Sequence, residues 1–268
     1  MKTRAITGFF FVVIMLASVL TGPYIFTAFF TLLSFLCLNE FYKIVKSETI
    51  NPNRVAGLIG GGCIFAGIGL HYILHIDSKW LLVIIPVLGS IFIAELYKHS
   101  ETPFVNIAYT ILGLVYAIAP FSFFFGLAFI TGEVYNNHFP LVFLLLLWSN
   151  DTGAYVVGLL FGKTKLFERH SPKKTWEGFI GGLLFTVAIS ILISYYFKDI
   201  EWRQWASMAI LISCFGTMGD LVESMLKRSV HAKDSGSLLP GHGGLLDRFD
   251  GLFLSAPIVF AYLYLITN

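Results

Sequence analysis

Charge is scarce in this chain. Asp, Glu, Lys and Arg make up 13% of its 268 residues, against roughly a quarter in an ordinary soluble domain. With 56% hydrophobic residues and a mean hydropathy of +0.77, that shortage excludes a water-soluble globule. Cysteine is also scarce. Cys37, Cys63 and Cys214 stand alone inside apolar segments, with no CxxC and no ligand spacing, so they read as small buried hydrophobes rather than disulfides or metal ligands. His170, His231 and His242 lack zinc-site spacing. There is no low-complexity segment and no clear repeat. Alternating apolar and polar strands are missing too. The apolar runs are long and continuous, and in lipid only helices and closed barrels satisfy their backbone groups. The fold class is therefore all-α: a polytopic membrane protein.

What is present is a series of about nine candidate spans: 5–21, 23–42, 54–74, 80–97, 104–131, 139–162, 177–197, 203–227 and 249–267. Each approaches the ~20 apolar residues a crossing helix needs. The chain is expected to form a single membrane domain over 1–268, with N-terminal helices in 1–100 and the site-bearing helices and loops in 101–268. Lys2 and Arg4 precede an apolar run, as in a signal peptide. No small-residue cleavage site follows, so the run is expected to stay as a first helix. Thr21, Gly22 and Pro23 must then form a very tight turn.

Orientation follows from the cations. With the N-terminus in the cytoplasm, 15 of the 18 basic residues fall on the cytoplasmic side, leaving only Lys79, Lys198 and Arg203 opposite. The positive-inside rule supports this arrangement and the count of nine. The C-terminus is expected outside. Two cytoplasmic loops stand out, 163–176 and 228–248. Glycines 57, 60, 61, 62, 178, 181 and 182 fall within spans, where they let helices approach closely.

The segment 224–250 carries Lys227, Arg228, Lys233 and Arg248 beside Asp234, Asp247, Asp250 and a glycine-rich turn. Just before it, Asp220, Glu223, Ser224 and Lys227 are spaced i, i+3, i+4 and i+7, which places them on one helix face. Acids inside a span are costly and usually functional. The alternative is an internal acid–lysine pair that only holds helices together. Asp151 and Tyr155 share a face one turn apart, and Asp151 reads equally as a cavity-lining group or a helix-to-helix hydrogen-bond partner. Glu40 and Glu95, near helix ends, read better as snorkelling groups or helix-to-helix pairs.

Chemistry follows from the residue types. Lysines and arginines neutralise phosphate oxygens. The Pro240–Gly244 turn offers backbone N–H groups as an anion nest beside a helix start. Asp220, Asp247 and Asp250 are hard oxygen donors of the kind Mg²⁺ takes while it binds phosphates. Together these are the parts of phosphoryl-type transfer, which needs positioning and charge stabilisation. A purely basic loop would read as a lipid anchor, but interleaved carboxylates weaken that reading. In the second loop, Ser171 and Pro172 mark a turn, Lys173 and Lys174 are candidate phosphate holders, and Trp176 is an interface anchor or a base-stacking group. An ordinary positive-inside loop competes with that reading.

From Ser224 through Lys227, Arg228, Lys233, Asp234, Pro240, His242, Gly243, Gly244, Asp247 and Arg248 to Asp250, the pattern resembles the signature of the phosphatidate cytidylyltransferase (CDP-diacylglycerol synthase) family. It covers about a tenth of the chain, fixes many positions at set spacing and shows no departure. The 171–178 loop and the Asp151 span are also similar to that family. The resemblance implies that CTP and phosphatidate give CDP-diacylglycerol and pyrophosphate, with Mg²⁺ on Asp220 and Asp247, Asp250 as a further ligand candidate, and a potassium ion beside it. The expected catalytic set is Asp220, Lys227, Arg228, Asp247 and Arg248. The expected substrate-binding set is Ser224, Lys233, His242, Gly243, Gly244, Lys173, Lys174 and Asp151. Phosphatidate would come from the inner leaflet of the cell's plasma membrane. A homodimer fits this picture, and no nucleic-acid partner is expected. A CTP-dependent polyprenol kinase and an ion-coupled transporter are the alternatives.

Overall fold

The computed structural model describes residues 2–132, 134–236 and 243–267. Among them are nine long helices: α1 (Lys2–Leu20), α2 (Pro23–Val45), α3 (Arg54–Leu74), α4 (Ser78–Leu96, opening with a 3₁₀ stretch), α5 (Pro103–Phe129), α6 (His138–Phe161), α7 (Trp176–Tyr196), α8 (Trp202–Ser229) and α9 (Leu246–Thr267). Eight of these are long and apolar enough to cross a membrane. The remaining described apolar stretch, Ile6–Leu20, is shorter. The molecule is a multi-pass membrane protein.

Local sequence sets the ends. Pro23 and Pro103 open α2 and α5, where a missing N–H costs nothing. The Asn53 and Thr175 side chains cap α3 and α7, and Glu201 with Gln204 forms a capping box on α8. The expected tight turn between α1 and α2 is present: Gly22 has φ 114, a conformation an L side chain rarely adopts. Pro120 cannot donate to the carbonyl of Tyr116, four residues back. Just before it, α5 widens into a π turn over Leu114–Ile118.

Two boundaries differ from expectation. The 163–176 loop holds a small antiparallel hairpin, β1 (Lys165–Phe167) and β2 (Ser171–Thr175), so Ser171 and Pro172 lie in a strand rather than in the turn. Lys165 pairs with Thr175 and Phe167 with Ser171, so two steps on β1 face four on β2. This bulge spans Pro172, which has no N–H to give a ladder. The last helix begins at Leu246 rather than 249, which moves Asp247 and Arg248 from a loop into its first turn.

Phe26, Phe30, Phe121, Phe124 and Phe125 fill the core where α2 and α5 meet, with ring centroids 4.8 to 6.3 Å apart. Helices α6 to α9 approach closely through small residues. Gly178 and Gly182 lie against backbone oxygens of Ala154 and Asn150, and Gly219 lies against that of Asp250. The last contact sets the site, because it brings Asp220 on α8 beside Asp250 on α9.

Hydrogen bonds sort the connections into two ends. At one end Thr102 binds the Thr49 carbonyl, Asn106 binds the Asn51 N–H, and Glu40 reaches Leu246. At the other, Tyr135 binds the Val19 carbonyl, and Asn136 and His138 bind Asp199. This is the same partition of loops that alternate crossings require.

Candidate active site

Three elements build a polar centre: the C-terminal half of α8, the first turns of α9, and the hairpin. Carboxylate oxygens of Asp220, Glu223 and Asp250 all lie within 4.8 Å of one another. Glu223 is buried and its Oε1 has no hydrogen-bond partner. Asp250 Oδ1 accepts from the Gly251 N–H at 2.7 Å, and Ser224 Oγ donates to Asp220 Oδ1 at 3.3 Å. Lys174, on β2, forms an ion pair with Asp220.

Lys227 sits between two acids, with its Nζ 2.6 Å from Glu223 Oε2 and 2.6 Å from Asp247 Oδ1. The expected single face of Asp220, Glu223, Ser224 and Lys227 is therefore present, and it includes an i, i+4 acid–lysine pair. The other Asp247 oxygen, Oδ2, accepts from the Ser235 N–H and hydroxyl, both at 3.0 Å, and from the Gly244 N–H at 2.9 Å. Asp247 thus has both oxygens engaged by the protein, while Asp220, Glu223 and Asp250 converge one turn deeper.

The remaining expected residues spread around this centre. Arg248 and Asp151 are exposed, and both line a cavity of about 440 Å³ with Asp220, Asp247 and Asp250, whose wall also includes Thr7 and Phe11 of α1. Lys173, Lys174 and Asn150 line a second cavity of about 450 Å³ between α6, α7 and α8. Asp151 and Asp220 belong to both cavities, so the two meet at that pair. Lys233 is exposed, and Arg228 is exposed and donates to the Ala232 carbonyl at 3.4 Å. Neither is among the residues lining these cavities. His242 lies outside the described residues. Of the described turn, the Gly244 N–H already serves Asp247.

Three more residues bear on this centre, and sequence reasoning singles out only Glu40 among them. Glu40 is not snorkelling but a helix-to-helix group, the other of its two expected readings: it is 8% exposed, and its Oε2 accepts the N–H of Leu246, the first residue of α9, at 2.8 Å. Its one signal was an acid within an apolar run. Tyr116, in the π turn of α5, has a buried hydroxyl without a partner and lies within electrostatic reach of Glu223, Asp250 and Asp220. Asn150 Oδ1 is likewise buried and unpartnered. No spacing rule in the sequence ties Tyr116 to α8. Glu95 is likewise a helix-to-helix group, accepting from Asn106 Nδ2 at 2.7 Å.

Fold and site together define a multi-pass membrane protein with acids and cations gathered where helix ends and a hairpin meet. The family model described as the cytidylyltransferase family matches residues 2–266. Among similar proteins are phosphatidate cytidylyltransferases of Staphylococcus aureus (strain COL), 32% identical over 265 residues, and of Staphylococcus epidermidis, 34% identical over 272 residues. Each match covers 97% of this chain and 97% of the relative. The chain belongs to the cytidylyltransferase family, and it is a nucleotidyltransferase.

Proposed function

We propose that this enzyme transfers the cytidylyl group of CTP to phosphatidate, releasing CDP-diacylglycerol and pyrophosphate. The observation that carries this reading is the meeting of two cavities at Asp151 and Asp220. One is rimmed by Lys173 and Lys174, cations suited to a triphosphate. The other is lined by Thr7 and Phe11 of α1 together with Asp220 and Arg248, suited to a phosphate headgroup that arrives with its acyl chains still in lipid.

A phosphate oxygen of phosphatidate attacks the α-phosphorus of CTP in line. The new P–O bond forms as the bond to the β-phosphate breaks, and that electron pair leaves with pyrophosphate. The acceptor is already an anion near neutral pH, so no general base is required. The difficulty is bringing two polyanions together. Lys173, Lys174 and Arg248 reduce that repulsion, and Lys227 holds the Glu223 and Asp247 carboxylates in register.

Asp220, Glu223 and Asp250 fit a divalent cation. Their donors are hard oxygens, they converge within 4.8 Å, and the Glu223 Oε1 is unpartnered. When bound, Mg²⁺ would supply charge neutralisation for the phosphates. Asp247, expected as a ligand, is assigned in this reading to holding Lys227, Ser235 and Gly244 instead. Potassium enters this proposal through the family resemblance alone.

The site end is proposed to face the cytoplasm of the plasma membrane, with the C-terminus outside, because it gathers 15 of the 18 basic residues. The test is purified protein in detergent with phosphatidate, CTP, Mg²⁺ and K⁺. CDP-diacylglycerol and pyrophosphate are the expected products. CDP with a phosphorylated polyprenol would favour the kinase alternative, and no turnover would sink the reading.

A further inference from the structure

Glu40 stands on α2, 206 residues before the α9 residue it binds. Its carboxylate accepts the Leu246 N–H at 2.8 Å, with the Leu245 N–H adding to it. Those groups form the positive end of the α9 dipole, so the carboxylate sits where an anion binds a helix start. The Ser235 hydroxyl lies between the Glu40 and Asp247 carboxylates and has one proton to offer them. Gly236 and Gly244 close on Glu40 so tightly that a Cβ at either would overlap its side chain.

The same stretch of backbone holds Asp247. Its donors are Ser235 and Gly244, and these are the residues packed on Glu40 or adjoining it. The chain of contacts therefore runs Glu40, the 235–236 and 244–246 backbone, Asp247, Lys227 and Glu223.

We infer that Glu40 is a positioning residue of the transfer site, fixing the start of α9 and through it the placement of Asp247, Lys227 and Arg248. This rests on the proposed cytidylyl transfer. A group that only caps α9 would, when removed, lower stability and leave the folded enzyme as fast as before. A positioning group, when removed, lowers kcat in enzyme that is still folded, because misplacement by about 1 Å costs on the order of 100-fold in rate.

The experiment compares wild type with Glu40→Gln in the detergent assay, alongside thermal midpoints. The amide keeps the volume and one acceptor but loses the charge and turns an NH₂ toward backbone donors. The expected result is a kcat at least tenfold lower, within the ~10–100-fold typical of outer-shell groups, with KM for CTP changed less than about twofold, as for loss of a transition-state interaction. A Glu40→Gln enzyme as fast as wild type, or one altered only in thermal midpoint, overturns the inference. Should Glu40→Gln not fold, Gly236→Ala tests the same contact. A folded Gly236→Ala enzyme with kcat at least tenfold lower supports the inference, and a folded one as fast as wild type overturns it. An inert wild type would sink the transfer reading and this inference with it. A working wild type beside a fully active Glu40→Gln sinks this inference alone.

Discussion

The two ends of the bundle both hold acidic side chains, and they hold them differently. At the end away from the site, Asp199 is matched to its surroundings. Its Oδ1 takes the Asn136 amide at 2.8 Å, and its Oδ2 lies 2.8 Å from His138 Nδ1. That arrangement ties the connection before α6 to the one before α8. At the site end, Asp151, Asp220, Glu223, Asp247 and Asp250 crowd together, with Lys174 on Asp220, and Lys227 shared by Glu223 and Asp247. Acids there outnumber the cations fixed on them, and the Glu223 Oε1 has no hydrogen-bond partner. Burying charge without compensation is unfavourable. Balanced polar groups hold connections together, whereas a surplus of one sign beside cationic rims is suited to a cation and a polyanionic substrate.

The sharpest way to break this contrast is Asp247→Asn. The variant keeps the shape but places an amide against the donors of Ser235 and Gly244 and leaves Lys227 with Glu223 alone. Turnover should fall by ~10³-fold, as when a preorganised charge at a transition state is removed. Membrane insertion and detergent extraction should stay intact. Near-wild-type turnover would mean that the crowded end is architectural after all. Smaller, and different in kind, is Lys174→Ala. It frees Asp220 from its ion pair and removes a cation from the wall of the second cavity. The expected effect is on nucleotide use: KM for CTP rises about tenfold while kcat changes little, as when ground-state and transition-state binding weaken equally. An unchanged KM for CTP with a raised KM for phosphatidate would exchange the roles of the two cavities.

Much of the fold was legible because hydropathy alone marks a crossing helix. Each candidate span coincides with a helix to within a few residues, and the tight Thr21–Pro23 turn follows from one glycine with φ 114. What stayed hidden depended on distant partners. The α9 start moved to Leu246 because Glu40, from α2, satisfies its N–H groups, and no local spacing encodes that bond. The hairpin was read as a loop because its strands are short and Pro172 is a turn signal, so only the pairing of Phe167 with Ser171 reveals it. At the site, the Asp220, Glu223 and Lys227 face was readable from helical period. The Lys174 pair with Asp220 and the Tyr116 hydroxyl were not, because both depend on how elements distant in the chain pack.

Asp199→Asn is the control that gives the comparison its meaning, and its expected effect is the smallest. The amide can still bond Asn136 through its carbonyl, but the negative charge beside His138 is lost. That histidine is 41% exposed and Asp199 14%, so solvent screens the pair and its loss should cost no more than about 1 kcal/mol. The thermal midpoint in detergent should drop slightly, and kcat and both KM values should match wild type. The reason is distance along the bundle: Asp199 joins connections at one end, while the acids that meet the two cavities lie at the other. If Asp199→Asn slowed transfer as severely as Asp247→Asn, the two ends would be mechanically coupled, and charge surplus could not serve as the mark of the chemical site.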